Sequence, residues 1–363
     1  MHEEEARMAK TSGRRRETIL TRRQFLKAVG AFGVATVSSG GLLTACGGGG
    51  QGGSSEPVGL SVSHWPTLLY TVPWAVAIEQ GYFEERGISL DEIVGSSGGG
   101  ETVRNVVTGG LPLGAVATPA AINAFNEGSE LKILGGAIAN TADISFVTLP
   151  DRGIGSIEDV RGRSVGFTEP GSITQGCAVL SLQGAGIDPS EVELQAMGGL
   201  SEAITGLKEG AIDLAPQLLP TAIRQNEEEG LITVFQTTEY VGEFAQLVMM
   251  ATNQTVQQQP ELLQNLIELY QEAVEFTLGN PEEAAAAWAN NSEVAEEAAL
   301  ESLQIIDPST YYSTTLTAGA LNTTVEEMKA IELLEPGDEV DWEELLDQQF
   351  LPEDQRVDLA ELQ

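Results

Sequence analysis

Residues 74–119 contain three linked stretches: Trp74-Ala-Val-Ala-Ile-Glu-Gln-Gly-Tyr-Phe-Glu-Glu-Arg-Gly-Ile88, Ser96-Ser-Gly-Gly-Gly-Glu-Thr102 and Val107-Thr-Gly-Gly-Leu-Pro-Leu-Gly-Ala-Val-Ala-Thr-Pro119. In chain order they predict a helix, a tight turn, a strand, a glycine-rich loop, a helix, a strand and a second loop. Loops at the ends of strands are where α/β sheets form ligand clefts. The rest of the chain either repeats this unit, exports it or supports it.

The elements around this segment follow from apolar alternation and from turn residues. The loop His64-Trp65-Pro66-Thr67 follows the first predicted strand, and Gly81 ends the first helix. A helix is expected to begin at Glu101, where free backbone N–H groups would suit an anionic or carbonyl group. The predicted strands are 58–63, 88–94, 113–116 and 131–137, and the predicted helices are 73–80, 101–108 and 120–127.

A second unit resembles the first at an offset of 101 residues. Strands are expected at 144–148 and 164–167, and the loop Thr168-Glu-Pro-Gly-Ser172 should open a helix to about residue 185. Segment 199–220 then aligns with segment 98–119. The aligned pairs are Gly98 with Gly199, Glu101 with Glu202, Gly109 with Gly210, Leu113 with Leu214 and Pro119 with Pro220. Duplication is the favoured interpretation, and two unrelated units with ordinary turn residues are the alternative.

The last third of the chain is predicted to be helical. The apolar run 244–251 should cross back into the first lobe. Tyr311 and Tyr312 fall in a connection that we expect to be non-helical, facing either the cleft or the core. The predicted helices are 260–279, 281–289, 292–305, 325–333 and 342–350.

The N-terminal region has the pattern of an export signal. Thr21-Arg-Arg-Gln-Phe-Leu-Lys27 resembles a twin-arginine signal, and Leu43-Thr-Ala-Cys-Gly47 resembles a lipobox whose cysteine, Cys46, would be lipidated. The apolar segment between them is too short for a stable membrane span. We therefore predict a signal region at 1–46, a flexible Gly/Ser tether at 47–57, and a protein anchored by lipid to the outer face of the cytoplasmic membrane or the cell surface.

The chain is strongly acidic, with 18 Lys and Arg against 54 Asp and Glu. Residues 1–46 hold eight of the cationic and four of the anionic side chains, so the remainder carries 10 − 50 = −40. Such a charge excludes nucleic acid and anionic lipid as natural partners. A high-salt habitat and a plainly acidic extracytoplasmic protein are both consistent with it.

Cysteine and histidine are scarce after Cys46. Cys177 lies in an apolar helix start, which favours a buried structural thiol, and it has no partner for an intrachain disulfide. His64 is the one histidine of the exported part. We find no metal-ligand spacing and no nucleophile-elbow motif, so the sequence predicts neither a metal, a cofactor nor an enzyme.

Residues 74–88 resemble the periplasmic solute-binding proteins of the nitrate, sulfonate, taurine and thiamine-pyrimidine family. The family signature A-x-E-x-G-Y-F-x-x-x-G is matched by Ala77, Glu79, Gly81, Tyr82, Phe83 and Gly87. Segment 156–163 is similar to the family's second-lobe entry, and 210–213 to its G-x-x-D element. The resemblance covers about 58–236 well.

This resemblance implies a type II periplasmic-binding-protein fold, α/β, with two lobes joined by a two-strand hinge. Lobe 1 would comprise 58–148 and 246–363, and lobe 2 would comprise 149–245. The protein would close on a small molecule, as a monomer, and deliver it to an ABC permease and its ATPase. The alternatives are a thiamine-pyrimidine-type biosynthetic enzyme on the same fold, and a ligand-sensing receptor without transport.

The family's cleft loops correspond to fifteen positions of this chain. Trp65 would cover a ligand, and the helix starts at Glu101 and Ser172 would donate N–H groups. Ser172 could instead serve only as an N-cap, and Glu101 only to complement the helix dipole. The predicted ligand-binding residues are His64, Trp65, Tyr70, Gly99, Gly100, Glu101, Thr118, Pro119, Thr141, Thr168, Glu169, Ser172, Ile173, Thr174 and Gln217.

The chemical class of the ligand stays open at this point. Helix N-termini would suit a sulfonate, nitrate or carboxylate, whereas Glu169 would suit an amine or a pyrimidine. Arg104 is the cation nearest to the predicted cleft in sequence.

Overall fold

A computed structural model describes residues 57–362. The predicted export signal, the lipidation site Cys46 and the tether up to residue 56 lie outside the described residues. Within 57–362, none of the helices combines the length and the apolar character that crossing a bilayer requires.

The strands are β1 (Val58–Ser63), β2 (Leu90–Ser96), β3 (Gly114–Ala117), β4 (Leu131–Ile138), β5 (Ile144–Thr148), β6 (Ser164–Phe167), β7 (Glu193–Ala196), β8 (Ala215–Leu218), β9 (Ile232–Gln236) and β10 (Leu247–Thr252). The helices up to β10 are α1 (Val72–Glu79), α2 (Tyr82–Glu85), α3 (Gly99–Val107), α4 (Thr118–Asn126), α5 (Ile173–Gly184), α6 (Leu200–Glu209) and α7 (Thr221–Glu229). After β10 come α8 (Asn253–Gln258), α9 (Pro260–Gly279), α10 (Pro281–Asn291), α11 (Glu296–Ile305), α12 (Pro308–Tyr311), α13 (Ala318–Ala330) and α14 (Trp342–Leu345).

Two mixed sheets of the same design form the two lobes. The first has the order β2-β1-β3-β10-β4, in which β10 runs antiparallel to both neighbours. The second has the order β7-β6-β8-β5-β9, in which β5 runs antiparallel to both neighbours. In that sheet a parallel bridge between Val165 and Leu214 joins β6 to β8. The predicted α/β fold of the periplasmic-binding type is confirmed.

The 101-residue offset reappears in the positions of the elements. Helices α3 and α6 begin at Gly99 and Leu200, and strands β3 and β8 begin at Gly114 and Ala215. Strands β3 and β8 also occupy the same third place in their sheets. The two aligned segments, 98–119 and 199–220, therefore occupy equivalent places in the two sheets, which favours duplication over two unrelated units.

The lobes are connected by two crossings, 139–143 between β4 and β5 and 237–246 between β9 and β10. We call these two segments the hinge. The sequence placed 144–148 at the end of lobe 1, but β5 pairs with β8 and β9 of the second sheet. The pairing of β5 therefore moves the lobe boundary to the 139–143 crossing.

Several predicted boundaries differ from the observed ones. Helix α3 begins at Gly99 rather than Glu101, and α4 begins at Thr118, so Thr118 and Pro119 are helical rather than loop residues. Pro119 fits there because a proline in the first helical turn loses no needed N–H bond. Tyr311 ends the short helix α12, in a segment that we expected to be non-helical.

The core of lobe 1 fixes the loop that follows β1. Helix α1 packs beneath the C-terminal helices, with the rings of Trp74 and Tyr270 5.0 Å apart. From α10, the indole nitrogen of Trp288 donates to the Pro66 carbonyl over 2.7 Å. From the residue after α12, the Tyr312 hydroxyl donates to the Leu69 carbonyl over 2.8 Å. The C-terminal helices therefore hold the 64–71 segment at the lobe boundary.

Candidate functional site

His64 directly follows β1 and has a left-handed conformation, with φ of 52°. Its Nδ1 lies 2.6 Å from the Tyr70 hydroxyl, and its backbone N–H donates to the Ser96 carbonyl. Burial lowers the pKa of His64, while burial and then the charge of Asp143 raise the pKa of Tyr70. The two predicted residues therefore form one neutral hydrogen-bonded pair.

Trp65 lies half-buried beside this pair. Its carbonyl oxygen packs so closely on β2 that a Cβ at Gly95 would collide with it. Glycine is required at position 95 for steric reasons, because the loop after β1 crosses over the end of β2 there.

Two residues of the predicted glycine-rich loop, Gly99 and Gly100, lie in the first turn of α3, and Ser97 and Gly98 remain as a short loop before it. Gly99 faces α4 closely, since a Cβ there would lie 2.6 Å from the Cβ of Ala120. The Glu101 carboxylate accepts from the backbone N–H of Ser97 at 2.7 Å and from its hydroxyl at 2.8 Å. These hydrogen bonds lower the pKa of Glu101. Glu101 therefore stabilises its own loop, and Gly100 is exposed beside it.

A buried trio of hydroxyl groups beneath this loop was not predicted. The Thr102 hydroxyl lies 2.8 Å from that of Ser63 and 2.6 Å from that of Ser96. Ser63 and Ser96 are the last residues of β1 and β2. Small hydroxyl residues closing two adjacent strands were the available signal in the sequence.

Thr118 and Pro119 are both buried at the start of α4. The Thr118 N–H donates to the Gln246 carbonyl in the hinge, but its hydroxyl has no partner among the described residues. Thr141 is also buried. The Thr237 hydroxyl lies 2.7 Å from the carbonyl oxygen of Thr141 and 2.7 Å from its hydroxyl oxygen. Thr141 therefore links the two hinge crossings to each other.

The predicted lobe 2 residues cluster around the start of α5. The Thr174 hydroxyl lies 2.8 Å from that of Thr168 and 3.0 Å from that of Ser172. Ser172 is the N-cap of α5, accepting from the backbone N–H of Gln175 at 3.3 Å. Ile173 is the first helical residue and Glu169 is exposed on the loop.

Gln217 lies buried in β8, the third strand of the second sheet. Its amide nitrogen donates to the Gln225 side chain over 2.9 Å, and its side-chain oxygen has no partner among residues 57–362. The hydrogen bonds of the predicted lobe 1 residues stay within lobe 1 and the hinge, and those of the lobe 2 residues stay within lobe 2. The structure thus supplies two separate polar groups of residues, one on each lobe.

A cavity of about 350 Å³ lies beside the hinge. Its walls come from the second sheet, from α7 and from α11, which belongs to the C-terminal helices. None of the fifteen predicted residues lines it. The lining residues are Ala142, Asp143, Ser145, Leu219, Ala222, Ile223, Asn226, Thr233, Gln236, Glu301 and Ile305.

Asp143 is the lining residue with the most unusual environment. It lies in the first hinge crossing, is 2 % exposed, and neither carboxylate oxygen has a hydrogen-bond partner in the described part of the chain. Burial raises its pKa to about 7, although the nearby side chains of Gln246 and Tyr311 act in the opposite direction. In the sequence, the polar residues that follow β4 are the one signal that points to this position.

Residues 69–284 match the family model described as NMT1/THI5 like. The chain belongs to this family. Among curated protein sequences, none matches the chain significantly.

Solved structures share the fold of this NMT1/THI5-like chain. The periplasmic aliphatic sulphonate binding protein SsuA from Escherichia coli is 15% identical, with a TM-score of 0.67 over 81% of this chain and 93% of that one. The alkanesulfonate-binding protein SsuA from Xanthomonas axonopodis, bound to MOPS, is 14% identical, with a TM-score of 0.68 over 81% and 100%. A ligand binding component of an ABC-type import system from Staphylococcus aureus is 10% identical, with a TM-score of 0.66 over 82% and 98%.

Proposed function

We propose that this protein is the solute-binding component of an ABC importer, closing two lobes on a small molecule and presenting it to a membrane permease. The observation that carries the proposal is the pair of sheets of identical topology joined by two hinge crossings. A hinge of this kind lets ligand contacts to both lobes shift an open–closed equilibrium. Its structural relatives include two sulfonate-binding proteins and a ligand binding component of an ABC-type import system, which supports the proposal.

The predicted residues would form the two walls of the cleft. On lobe 1 these are the His64–Tyr70 pair, Trp65 and the loop closed by Glu101. On lobe 2 they are the hydroxyl cluster of Thr168, Ser172 and Thr174. We propose that Thr141 acts on closure through the hinge rather than by touching ligand, because its hydrogen bonds go to Thr237.

The environments of Cys177, the candidate nucleophile, and His64, the candidate base, favour a binding role over a catalytic one. Cys177 is fully buried, and burial raises the pKa of its thiol well above the usual value, so little thiolate would be present. The Nδ1 atom of His64 is already hydrogen-bonded to the Tyr70 hydroxyl. Within 57–362, no group of three or more His, Cys, Asp and Glu side chains is arranged to hold a metal.

A screen of the full chain by thermal shift would test this function, using sulfonates, nitrate, pyrimidines and polyamines. A true ligand should raise the Tm and reduce the radius of gyration measured by small-angle scattering, since closure compacts the protein. If no compound raises the Tm and native mass spectrometry finds no co-purified ligand, the solute-binding function is wrong.

We further propose export by the twin-arginine route and anchoring through Cys46. The chain offers its own control, because Cys46 and Cys177 are its two cysteines. Cys46→Ala should abolish incorporation of labelled palmitate and release the protein from membranes, whereas Cys177→Ala should retain both. Replacing Arg22 and Arg23 with lysine should block export. Normal membrane association of Cys46→Ala would contradict the anchor.

A further inference from the structure

Helix α13 lies at the boundary between the lobes. Its residue Val325 belongs to the same core cluster as Val116 of β3 and Met250 of β10, so the helix packs on the first sheet. The carboxylate of Glu327 is directed to α5 of lobe 2 instead, where it fills the space beside the backbone of Gly176. Helix α13 therefore belongs to lobe 1 and contacts lobe 2 through an acidic side chain.

The contact involves two glycines of lobe 2. A Cβ at Gly176 would collide with the carboxylate of Glu327, so only glycine leaves room for the acid. Leu333, which follows α13, lies against Gly171, where a Cβ would be 3.4 Å from the leucine side chain. Gly171 and Gly176 flank Ser172, the N-cap of α5 and a member of the proposed lobe 2 wall. The contact between the lobes therefore lies beside the proposed cleft.

Both helices are held in place at the hinge. The hydroxyl of Thr317, the N-cap of α13, donates to the Glu243 carboxylate over 2.6 Å. The last residue of α5, Gly184, packs so closely on the Tyr240 carbonyl that a Cβ there would collide with it. Both partners belong to the second hinge crossing, whereas the contact of Glu327 with α5 lies nearer the opposite ends of the two helices. A rotation of the lobes about the hinge therefore separates Glu327 from α5.

Glu327 is a fully buried acid. Neither carboxylate oxygen has a hydrogen bond within the described part of the chain, and none of the ion pairs among residues 57–362 includes this side chain. Ionisation would leave an uncompensated charge out of reach of water, and this burial raises the pKa of Glu327 well above 4.5. The contact therefore favours the neutral acid, and ionisation of the acid opposes the contact.

The elements packed against α13 bring few titratable groups to Glu327. Helix α4 carries no titratable side chain, and α5 carries only Cys177. The charges of Glu327 and of Asp143, in the first hinge crossing, add to burial in raising the pKa of Cys177. The other charged residues on α13 or hydrogen-bonded to its start are Glu243, the exposed Glu326 and the half-buried Lys329.

We propose that Glu327 and Gly176 form a proton-controlled latch between the lobes: the neutral acid packs against Gly176 in the closed form, and ionisation of Glu327 separates the helices and opens the cleft. The inference rests on the proposed solute-binding function and adds a regulation of it. A solute held in the closed form would be released as the pH rises.

The linkage to protons has one direction. Once the lobes open, water reaches Glu327 and its pKa should return to about 4.5, so above that pH the closed form binds more protons than the open form. The ratio of closed to open molecules should then fall by up to about tenfold per pH unit. The fall ends where the pH exceeds the raised pKa of the closed form. Closure should therefore be strongest at acid pH.

Small-angle scattering of the full chain without added solute tests the latch, at high constant salt so that screening of the acidic surface is equal throughout. Between about pH 4.5 and about pH 8.5 the radius of gyration of the wild type should increase as the lobes open. Glu327→Gln keeps the shape of the neutral acid and should remain compact over the same range. The control is Glu326→Gln, exposed on the same helix, which should follow the wild type. Asp143 titrates in all three proteins, so the difference between them belongs to Glu327.

A second variant and a spectroscopic signal locate the effect. Gly176→Ala blocks the contact and should be as open at acid pH as the wild type is at alkaline pH, and it tests the latch even if Glu327→Gln does not fold. The infrared band of a neutral carboxylic acid, taken as wild type minus Glu327→Gln, should disappear at the pH midpoint at which the radius of gyration increases.

The outcomes separate the two proposals. The latch is wrong if the radius of the wild type does not change with pH, if Glu327→Gln expands equally, or if Gly176→Ala is as compact as the wild type at acid pH. An acid band that disappears at a different pH from the change in radius would also overturn it. These results leave the solute-binding function standing, because the thermal-shift screen decides it separately. If the latch is confirmed and that screen finds no solute, the solute-binding function is wrong and Glu327 controls the opening of a protein with another function.

Discussion

The carboxylate of Glu327, on α13, lies directly against the backbone of Gly176, on α5. Helix α13 belongs to the C-terminal part of lobe 1 and α5 to lobe 2, so this contact joins the lobes. Glu327 is fully buried and neither of its carboxylate oxygens has a partner among residues 57–362. A side chain at position 176 would occupy the space that the carboxylate fills.

Gly176→Ala should push the two helices apart. The added Cβ collides with the carboxyl end of Glu327, and overpacking of this kind costs about 1–3 kcal/mol. We expect a lower Tm and a larger radius of gyration. The matched control is Gly279→Ala, in α9, where a Cβ meets nothing within 4 Å and stability should be unchanged or slightly higher. Identical Tm and radius in both variants would contradict the proposed interlobe contact.

Glu327→Gln should stabilise the protein increasingly as pH rises. Burial raises the pKa of Glu327 well above 4.5, so folding takes up a proton between the unfolded and folded pKa values. The wild type should therefore lose up to about 1.4 kcal/mol per pH unit relative to the variant above about pH 4.5. Denaturant unfolding across that range measures the difference. The control is Glu326→Gln, exposed on the same helix, whose unfolding free energy should follow that of the wild type at every pH. A difference between Glu327→Gln and wild type that does not change with pH would refute the effect.

Thr237→Val should weaken the hinge. The Thr237 hydroxyl lies within hydrogen-bonding distance of the carbonyl and hydroxyl of Thr141 and of the Ile144 carbonyl, all buried. Removing this donor from among buried acceptors should cost about 1–3 kcal/mol of unfolding free energy. Thr205→Val removes an exposed hydroxyl and should cost less than about 0.5 kcal/mol. Equal losses of unfolding free energy in the two variants would show that the Thr237 hydroxyl does not stabilise the hinge.

The Tm should rise with salt. The chain carries a formal charge of −36, and screening of its self-repulsion favours the compact state. Between about 0.1 M and about 1 M NaCl we expect the Tm to rise by about 2–4 °C for each kcal/mol by which screening increases the unfolding free energy. A Tm that is flat in NaCl, or that rises equally in sucrose, would leave the high-salt hypothesis without support and favour a plainly acidic extracytoplasmic protein.

Local pattern was enough to predict most elements of the two sheets. Strand β6 is predicted residue for residue because turn residues bound a short apolar run. Helix α13 begins at Ala318, seven residues before the predicted start, because the Thr317 side chain caps it in spite of Gly319 in its first turn. The predicted helix 342–350 stops at Leu345, where Asp347 caps a separate turn instead.

Site residues could be predicted only where their hydrogen bonds stay within one loop. Ser172 as an N-cap follows from the sequence around it. The environment of Asp143 does not, because it depends on Gln246 and Tyr311, which only the folded hinge brings near. The same applies to Glu327, whose burial requires α5 from the other lobe. Side chains without partners are a property of tertiary packing, and no local pattern marks them.

The two sheets differ in one respect that concerns the order of synthesis. All strands of the second sheet come from the continuous segment 144–236, whereas the first sheet has β10, at Leu247–Thr252, inserted between β3 and β4. During translation the N-terminal lobe is therefore made first but completed last. Its strands β3 and β4 wait for a central partner until the whole second lobe has left the ribosome.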